Sequence, residues 1–314
     1  MEETESQAPK KKKKKSVVTT IVIILILLVG VGIMVYPTFS DWWNSFHQSR
    51  AIASYAAVVD EMDPNEIEDL LNEAYEYNKR LLKKTNRYVL DEEEMEEYNS
   101  ILDPSGTGVM GYIQIKPIGV NLPIYHGTDE SVLQIAIGHI EGTSLPVGGE
   151  STHSALSGHR GLPSAKLFSD LDKIQEGDTF TVTVLNKTIT YEVDQIEIVL
   201  PEDTSLLNIV AGEDYCTLIT CTPYGINTHR LMIRGKRIDN IHGDVVILPS
   251  GQHIPEFVVI PAIVIPLLFV ELILLLIYSR RKKPTMSRLQ GEKHLERLQA
   301  KVRNGYSIIK RRKQ

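Results

Sequence analysis

The sequence predicts a mainly β protein, a closed β-barrel with short helices, preceded by a helical arm and flanked by two transmembrane helices. Three observations carry that prediction. From residue 111 onward, short alternating segments rich in Val, Ile, Thr and Tyr are punctuated by Gly, Pro, Asn and Asp, and many short strands are best closed into a barrel, which leaves no open edge. Two apolar runs, 17–36 and 257–278, are long enough at ~1.5 Å per residue to span a ~30 Å hydrocarbon core. Between residue 41 and about residue 102 the apolar positions recur at helical spacing instead.

The charge distribution orders these pieces. A net charge of −6 over 314 residues, with 42% apolar and 24% charged positions, excludes a disordered chain and reads superficially as a mildly acidic soluble protein. By segment the picture changes: tails 1–16 and 279–314 together carry +14, and the rest carries −20. Lys10 to Lys15 abut the first apolar run on its outer side, and the basic residues from Arg280 onward abut the second. The bias of basic residues toward the cytoplasm therefore predicts two cytoplasmic tails and an exported segment 37–256 in a multi-pass protein of the cell membrane. The lysine run reads as a topology signal beside the lipid bilayer, with no nucleic-acid partner implied. A cleaved signal peptide fits less well, since the nearby Ala51-Ile52-Ala53 lies some fifteen residues past an unusually long apolar region.

The first run, VVTTIVIILILLVGVGIMVY, holds no charge. The second, FVVIPAIVIPLLFVELILLLIY, tolerates Pro261 and Pro266 in lipid and holds one acid, Glu271, expected at a helix contact. Residues 37–106 form the arm: Asp63-Pro64 starts a helix, Ile67, Leu70, Leu71, Ala74, Tyr75 and Leu81 share a face, and the acidic stretch 91–97 suggests a solvated arm. Residues 107–245 form the barrel, with strands expected at 112–115, 122–125, 154–157, 180–184, 189–193, 196–200, 215–221 and 229–234 and a hairpin turn at Leu185-Asn186-Lys187. Residues 246–256 are a linker.

Only two cysteines exist, Cys216 and Cys221. Five residues apart on one strand, they point to opposite faces and cannot bridge. Cys216 reads as a small buried hydrophobe. Cys221 closes its strand just before a turn built on Pro223, Gly225 and Asn227, so it is the candidate nucleophile. A thiol nucleophile needs a base or acid nearby. Among the histidines of the exported segment, His159 stands out, because Gly158-His159-Arg160-Gly161 follows a strand-like 154–157 directly. A developing oxyanion needs a donor. Arg230 follows Cys221 by nine residues across a loop, so an antiparallel register placing 221 opposite 230 would put both side chains on one face, with Arg160 and Arg234 as alternatives. Neither Cys-x-x-Cys nor His-x-x-x-His spacing occurs, so no metal or cofactor is expected.

These residues match a family. Thr217-Leu218-Ile219-Thr220-Cys221, followed by Thr222 to Arg230, resembles the TLxTC segment and trailing arginine of sortases. Ser157-Gly158-His159-Arg160 is similar to their histidine segment, and 108–113 and 122–128 resemble the class C, pilin-polymerising branch, as does a second membrane helix. The resemblance covers roughly residues 50–278. It implies a sortase β-barrel and a Gram-positive cell-surface cysteine transpeptidase. Cys221 would attack the Thr-Gly bond of an LPxTG-like C-terminal sorting signal on a pilin or surface protein, His159 would protonate the leaving amine, and Arg230 would hold the peptide or oxyanion. An acceptor pilin lysine would resolve the thioacyl enzyme.

One departure stands out. Many class C members carry an Asp-Pro-aromatic lid before the barrel; the corresponding 86–91 lacks it, Asp63-Pro64-Asn65 comes too early, and Asp103-Pro104-Ser105 has no aromatic. A weakly held lid is expected, with Tyr88 the residue that could gate. Two other functions fit the chain: a sortase anchoring surface proteins to peptidoglycan, and a non-catalytic membrane scaffold or receptor, against which the intact Cys, His and Arg set weighs.

Overall fold

The computed structural model describes residues 13–240, together with 269, 273 and 294–302. The chain divides into two units, 1–253 and 254–314. In the second, the described residues are helical. Apart from Phe269 and Ile273, the apolar run expected to be the second membrane helix lies outside the described residues, as do the expected linker and most of both tails.

The first unit opens with α1, Lys13–Glu61, a single 49-residue helix that continues through Pro37. The apolar run does not end it. The helix passes from a lipid-compatible stretch directly into the arm, and among the described residues it alone is long and apolar enough to cross a membrane. Helix α2, Pro64–Lys83, begins where Asp63 accepts from the Asn65 amide and Pro64 has no N–H in need of an acceptor. Helix α3, Glu92–Ser100, is set by a capping box in which Asp91 accepts from the Glu94 amide and Glu94 reaches back.

Eight strands follow: β1 Val109–Ile115, β2 Val120–His126, β3 Ile137–His139, β4 Thr152–Ser157, β5 Thr179–Val184, β6 Lys187–Val199, β7 Asp214–Thr222 and β8 His229–Ile238. A one-turn helix α4, Glu130–Leu133, joins β2 to β3. The strands close in the order β1-β2-β3-β4-β7-β8-β6-β5, so the expected barrel is present. Two details differ from the sequence reading. Strand β3 is an addition, and 189–193 and 196–200 belong to one strand, whose register slips between Val193 and Gln195. The Leu185-Asn186 turn joins β5 to β6 as expected.

The arm is not wholly solvated. Ile52, Tyr55, Val59, Ile67, Ala74, Tyr77, Leu81 and Tyr98 are buried in one continuous core with barrel residues such as Ile113, Ile124, Leu156, Phe168 and Leu218. The Tyr55 hydroxyl donates to the Met110 carbonyl (3.0 Å) and accepts from the Leu185 amide (2.7 Å). Each buried apolar side chain of this kind stabilises by ~1.5–3 kcal/mol, so the arm is part of the domain.

Candidate active site

Strands β4, β7 and β8 are neighbours and hold the site. β4 runs parallel to β7, with Ala155 opposite Thr217 and Ser157 opposite Ile219. The Gly158 amide continues the ladder onto the Ile219 carbonyl (3.0 Å), and the Thr220 hydroxyl donates to the Gly158 carbonyl (2.8 Å). Two residues past Ser157 on this line, His159 comes level with Cys221. On the other side Cys221 pairs directly with Arg230. Cys221 and Arg230 are thus cross-strand neighbours, and His159 lies two residues past the end of the strand on the other side.

Alternation separates the two cysteines. Both are free thiols. Cys216 is fully buried in the barrel core, and burial, then the Asp214 carboxylate, push its thiol far above the ordinary range, which suits an inert hydrophobe. Cys221 is half-buried and lies on the outer face with Ile219.

The three arginines differ in what holds them. Arg234 makes a two-pronged pair with Asp194 (2.9 and 2.8 Å) and lies 4.3 Å over the Tyr215 ring. Arg160 pairs with Asp172 (2.5 Å), reaches the Thr222 hydroxyl (3.3 Å) and sits beneath Tyr224. Arg230 meets only the Asn227 and His229 carbonyls, at 3.4 and 3.2 Å. Its charge is the one left for a ligand oxygen.

Sequence reasoning did not single out Glu130. At the start of α4, its Oε2 lies 3.6 Å from His159 Nε2. The Gln134 amide, and then His159, hold its carboxyl below the ordinary range. Its sequence signal was only an acidic residue in the connection after β2, which is common.

Beside these residues lies a small buried apolar cluster. Ala155, Ile219 and Met232 form it on the outer face, and Leu207 covers it, with Ile140, Val199 and Leu206 around it. Leu206 and Leu207 belong to a short 3-10 turn, Ser205–Leu207, in the β6–β7 loop. That loop is pinned at consecutive carbonyls. Arg87 donates to the Leu207 carbonyl (2.7 Å) and His153 Nδ1 donates to that of Asn208 (2.9 Å). The arm segment carrying Arg87 and Tyr88 is therefore not weakly held. Its backbone also rests on Gly142, whose φ of 77° and lack of a Cβ permit the contact, since a Cβ would collide with the Arg87 carbonyl. Tyr88 is stacked on Arg87 at 4.9 Å. Among the described residues, no group of His, Cys, Asp and Glu is placed to hold a metal ion.

Comparison with known proteins identifies the barrel. Residues 113–238 match the sortase domain. Sortase C1 from Streptococcus agalactiae is 56% identical in sequence, with a TM-score of 0.59 over 61% of this chain and 100% of that one. Sortase C of Streptococcus pneumoniae, studied for its pilin substrate specificity, is 43% identical, with a TM-score of 0.54 over 60% of this chain and 96% of its own. Sortase D of Bacillus subtilis is 30% identical over 131 residues, 41% of this chain, and the match spans 63% of that relative, under two thirds of its length. With the barrel closed in this order and the TLxTC strand set against the strand of Arg230, the chain belongs to the sortase family, and its structural neighbours are class C sortases.

Proposed function

We propose that this protein is a membrane-anchored transpeptidase that joins pilin subunits. The observation that carries the reading is the direct register of Cys221 with Arg230, with His159 two residues past the end of β4, the strand on the other side of β7. The thiolate of Cys221 attacks the threonine carbonyl carbon of an LPxTG-like sorting signal, and Arg230 stabilises the oxygen as it gains charge. Collapse of that intermediate breaks the Thr-Gly bond. The glycine amine leaves with a proton from His159, and the threonine acyl group remains on sulfur as a thioester. A lysine amine of a second pilin, giving its proton to His159, then attacks the thioester; an isopeptide bond forms and the thiol is released. The partly exposed Ile140, Val199 and Leu206 at the edge of the apolar cluster around Ile219 and Leu207 offer an apolar rim to the apolar part of the signal.

The pilin reading draws support from the 56% identity to a sortase C1 and from the pilin substrates of the pneumococcal neighbour. Membrane anchoring draws support from α1. The test is to incubate the full chain in detergent with sorting-signal peptides and read the Cys221 adduct by mass spectrometry. A threonyl thioester lacking the glycine segment is expected, transferred onto a pilin lysine and absent in Cys221→Ala. An adduct transferred to a peptidoglycan amine in preference to lysine would favour the wall-anchoring reading. No adduct in the wild-type chain would end the enzymatic reading.

A further inference from the structure

The path of α1 fixes which end of the barrel meets the bilayer. The apolar run ends near Tyr36, and the helix goes on unbroken with Phe39, Trp42 and Trp43, of which Phe39 and Trp43 are half exposed. Aromatic rings of this kind collect at headgroup depth. Within the next turns α1 docks on the barrel. Asp41 accepts the Lys166 amide (2.6 Å), Asn44 donates to the Ser164 carbonyl (2.8 Å) and Gln48 donates to the Ile135 carbonyl (2.6 Å). Ser164 and Lys166 lie in the loop that follows His159, and Ile135 lies just before β3. Fourteen residues beyond Asp41, Tyr55 reaches Met110 and Leu185 at the hairpin end of the barrel. The helix therefore runs from the end that carries the nucleophile to the opposite end, and its N-terminal continuation leaves past the nucleophile.

Asp41 is only five residues, ~8 Å, beyond Tyr36, about the thickness of one headgroup layer. The surface at that end suits such a position. Ile135, Ile198, Leu200, Tyr224 and Ile226 are large apolar side chains, each 45–67% exposed, and they belong to the connections and strand ends around Cys221. In a segment otherwise rich in acids, the β7–β8 connection 223–228 has no carboxylate to repel a lipid surface.

We propose that the nucleophile end of the barrel rests on the outer-leaflet headgroups, with Tyr224 and Ile226 entering them, so that the site takes acyl donors still tethered in the same membrane. The proposal rests on the membrane-anchored reading, and the test separates the two. The full chain is placed in nanodiscs containing a phosphatidylcholine brominated in its acyl chains, and tryptophan emission is compared with that in unbrominated discs. Ile226→Trp and Tyr224→Trp, each in a Trp42→Phe, Trp43→Phe background, are expected to lose most of their emission. Asn186→Trp, at the hairpin end, is expected to keep it. If the native Trp42 and Trp43 are quenched but positions 224 and 226 are quenched no more than 186, the anchor stands and the orientation is overturned. If the native tryptophans are also unquenched, the anchoring reading falls and the orientation with it.

Discussion

His139 and His153 are buried, His153 opposite Tyr215 near the start of β7 and away from the nucleophile end, and both differ from His159 in having every ring nitrogen engaged. His153 Nδ1 donates to Asn208 and its Nε2 meets the Thr217 hydroxyl (2.7 Å). His139 Nε2 donates to the Ser144 carbonyl (2.9 Å), while its Nδ1 accepts from Tyr98 (2.9 Å). Burial, the largest cause at each, pulls both down from 6.5 to about 4. In the unfolded chain each regains a pKa near 6.5, so the unfolded state binds more protons and acid favours it. The stability they contribute is complete above pH 6.5 and is lost as pH falls toward 4, by about 2 kcal/mol each at pH 5. Urea unfolding of the full chain in detergent is expected to show its midpoint drop between pH 7.5 and 5. In His153→Gln the drop should shrink by about half; an unchanged drop would mean that His153 is not buried neutral.

The β6–β7 loop is proposed to shape binding, because Leu206 and Leu207 close the apolar cluster of Ala155, Ile219 and Met232 on the strand face that carries Cys221. Arg87 holds it from the arm, 120 residues away in sequence. Replacing Arg87 by Ala leaves the Leu207 carbonyl without that donor, a loss of ~1–3 kcal/mol. Peptide transfer by Arg87→Ala is expected to show KM raised about tenfold with kcat changed far less. An equal fall in kcat at unchanged KM would place Arg87 in the chemistry instead. Nothing in the sequence near Arg87 named Leu207, since contacts between distant loops leave no periodic trace. Strand ends and turns were legible because alternation and Gly-Pro-Asn punctuation are local. The pairing of Cys221 with Arg230 was legible too, because a seven-residue loop constrains the register of a hairpin. Strand β3 was not, since three residues, Ile137 to His139, carry too little alternation to read. Asp194 split β6 in the sequence reading because a bulge breaks the two-residue period. The buried face of the arm was visible as helical spacing, but its partner, the barrel wall, is a property of the folded chain alone.

At the scale of the whole molecule, α1 joins two environments in one helix, and where it can be cut distinguishes a tether from a structural element. From Ile24 to Tyr36 it is largely exposed and apolar. Its last part places Ile52, Tyr55 and Val59 in the common core, at 3%, 1% and 6% exposure, and ties the barrel at Asp41, Asn44 and Gln48. Losing three buried apolar side chains removes ~5–9 kcal/mol of burial, comparable with the 5–15 kcal/mol that holds a typical domain together. A chain of residues 38–245 is therefore expected to unfold in one cooperative transition. A chain of residues 62–245 should melt far lower or without a cooperative transition, because the grooves that take Tyr55 and Val59 open to water and the Leu185 amide loses its acceptor. Scanning calorimetry of the two chains checks this. Equal melting temperatures would mean that the barrel folds without α1, and the rigid link that sets the nucleophile end against the bilayer would then have no structural basis.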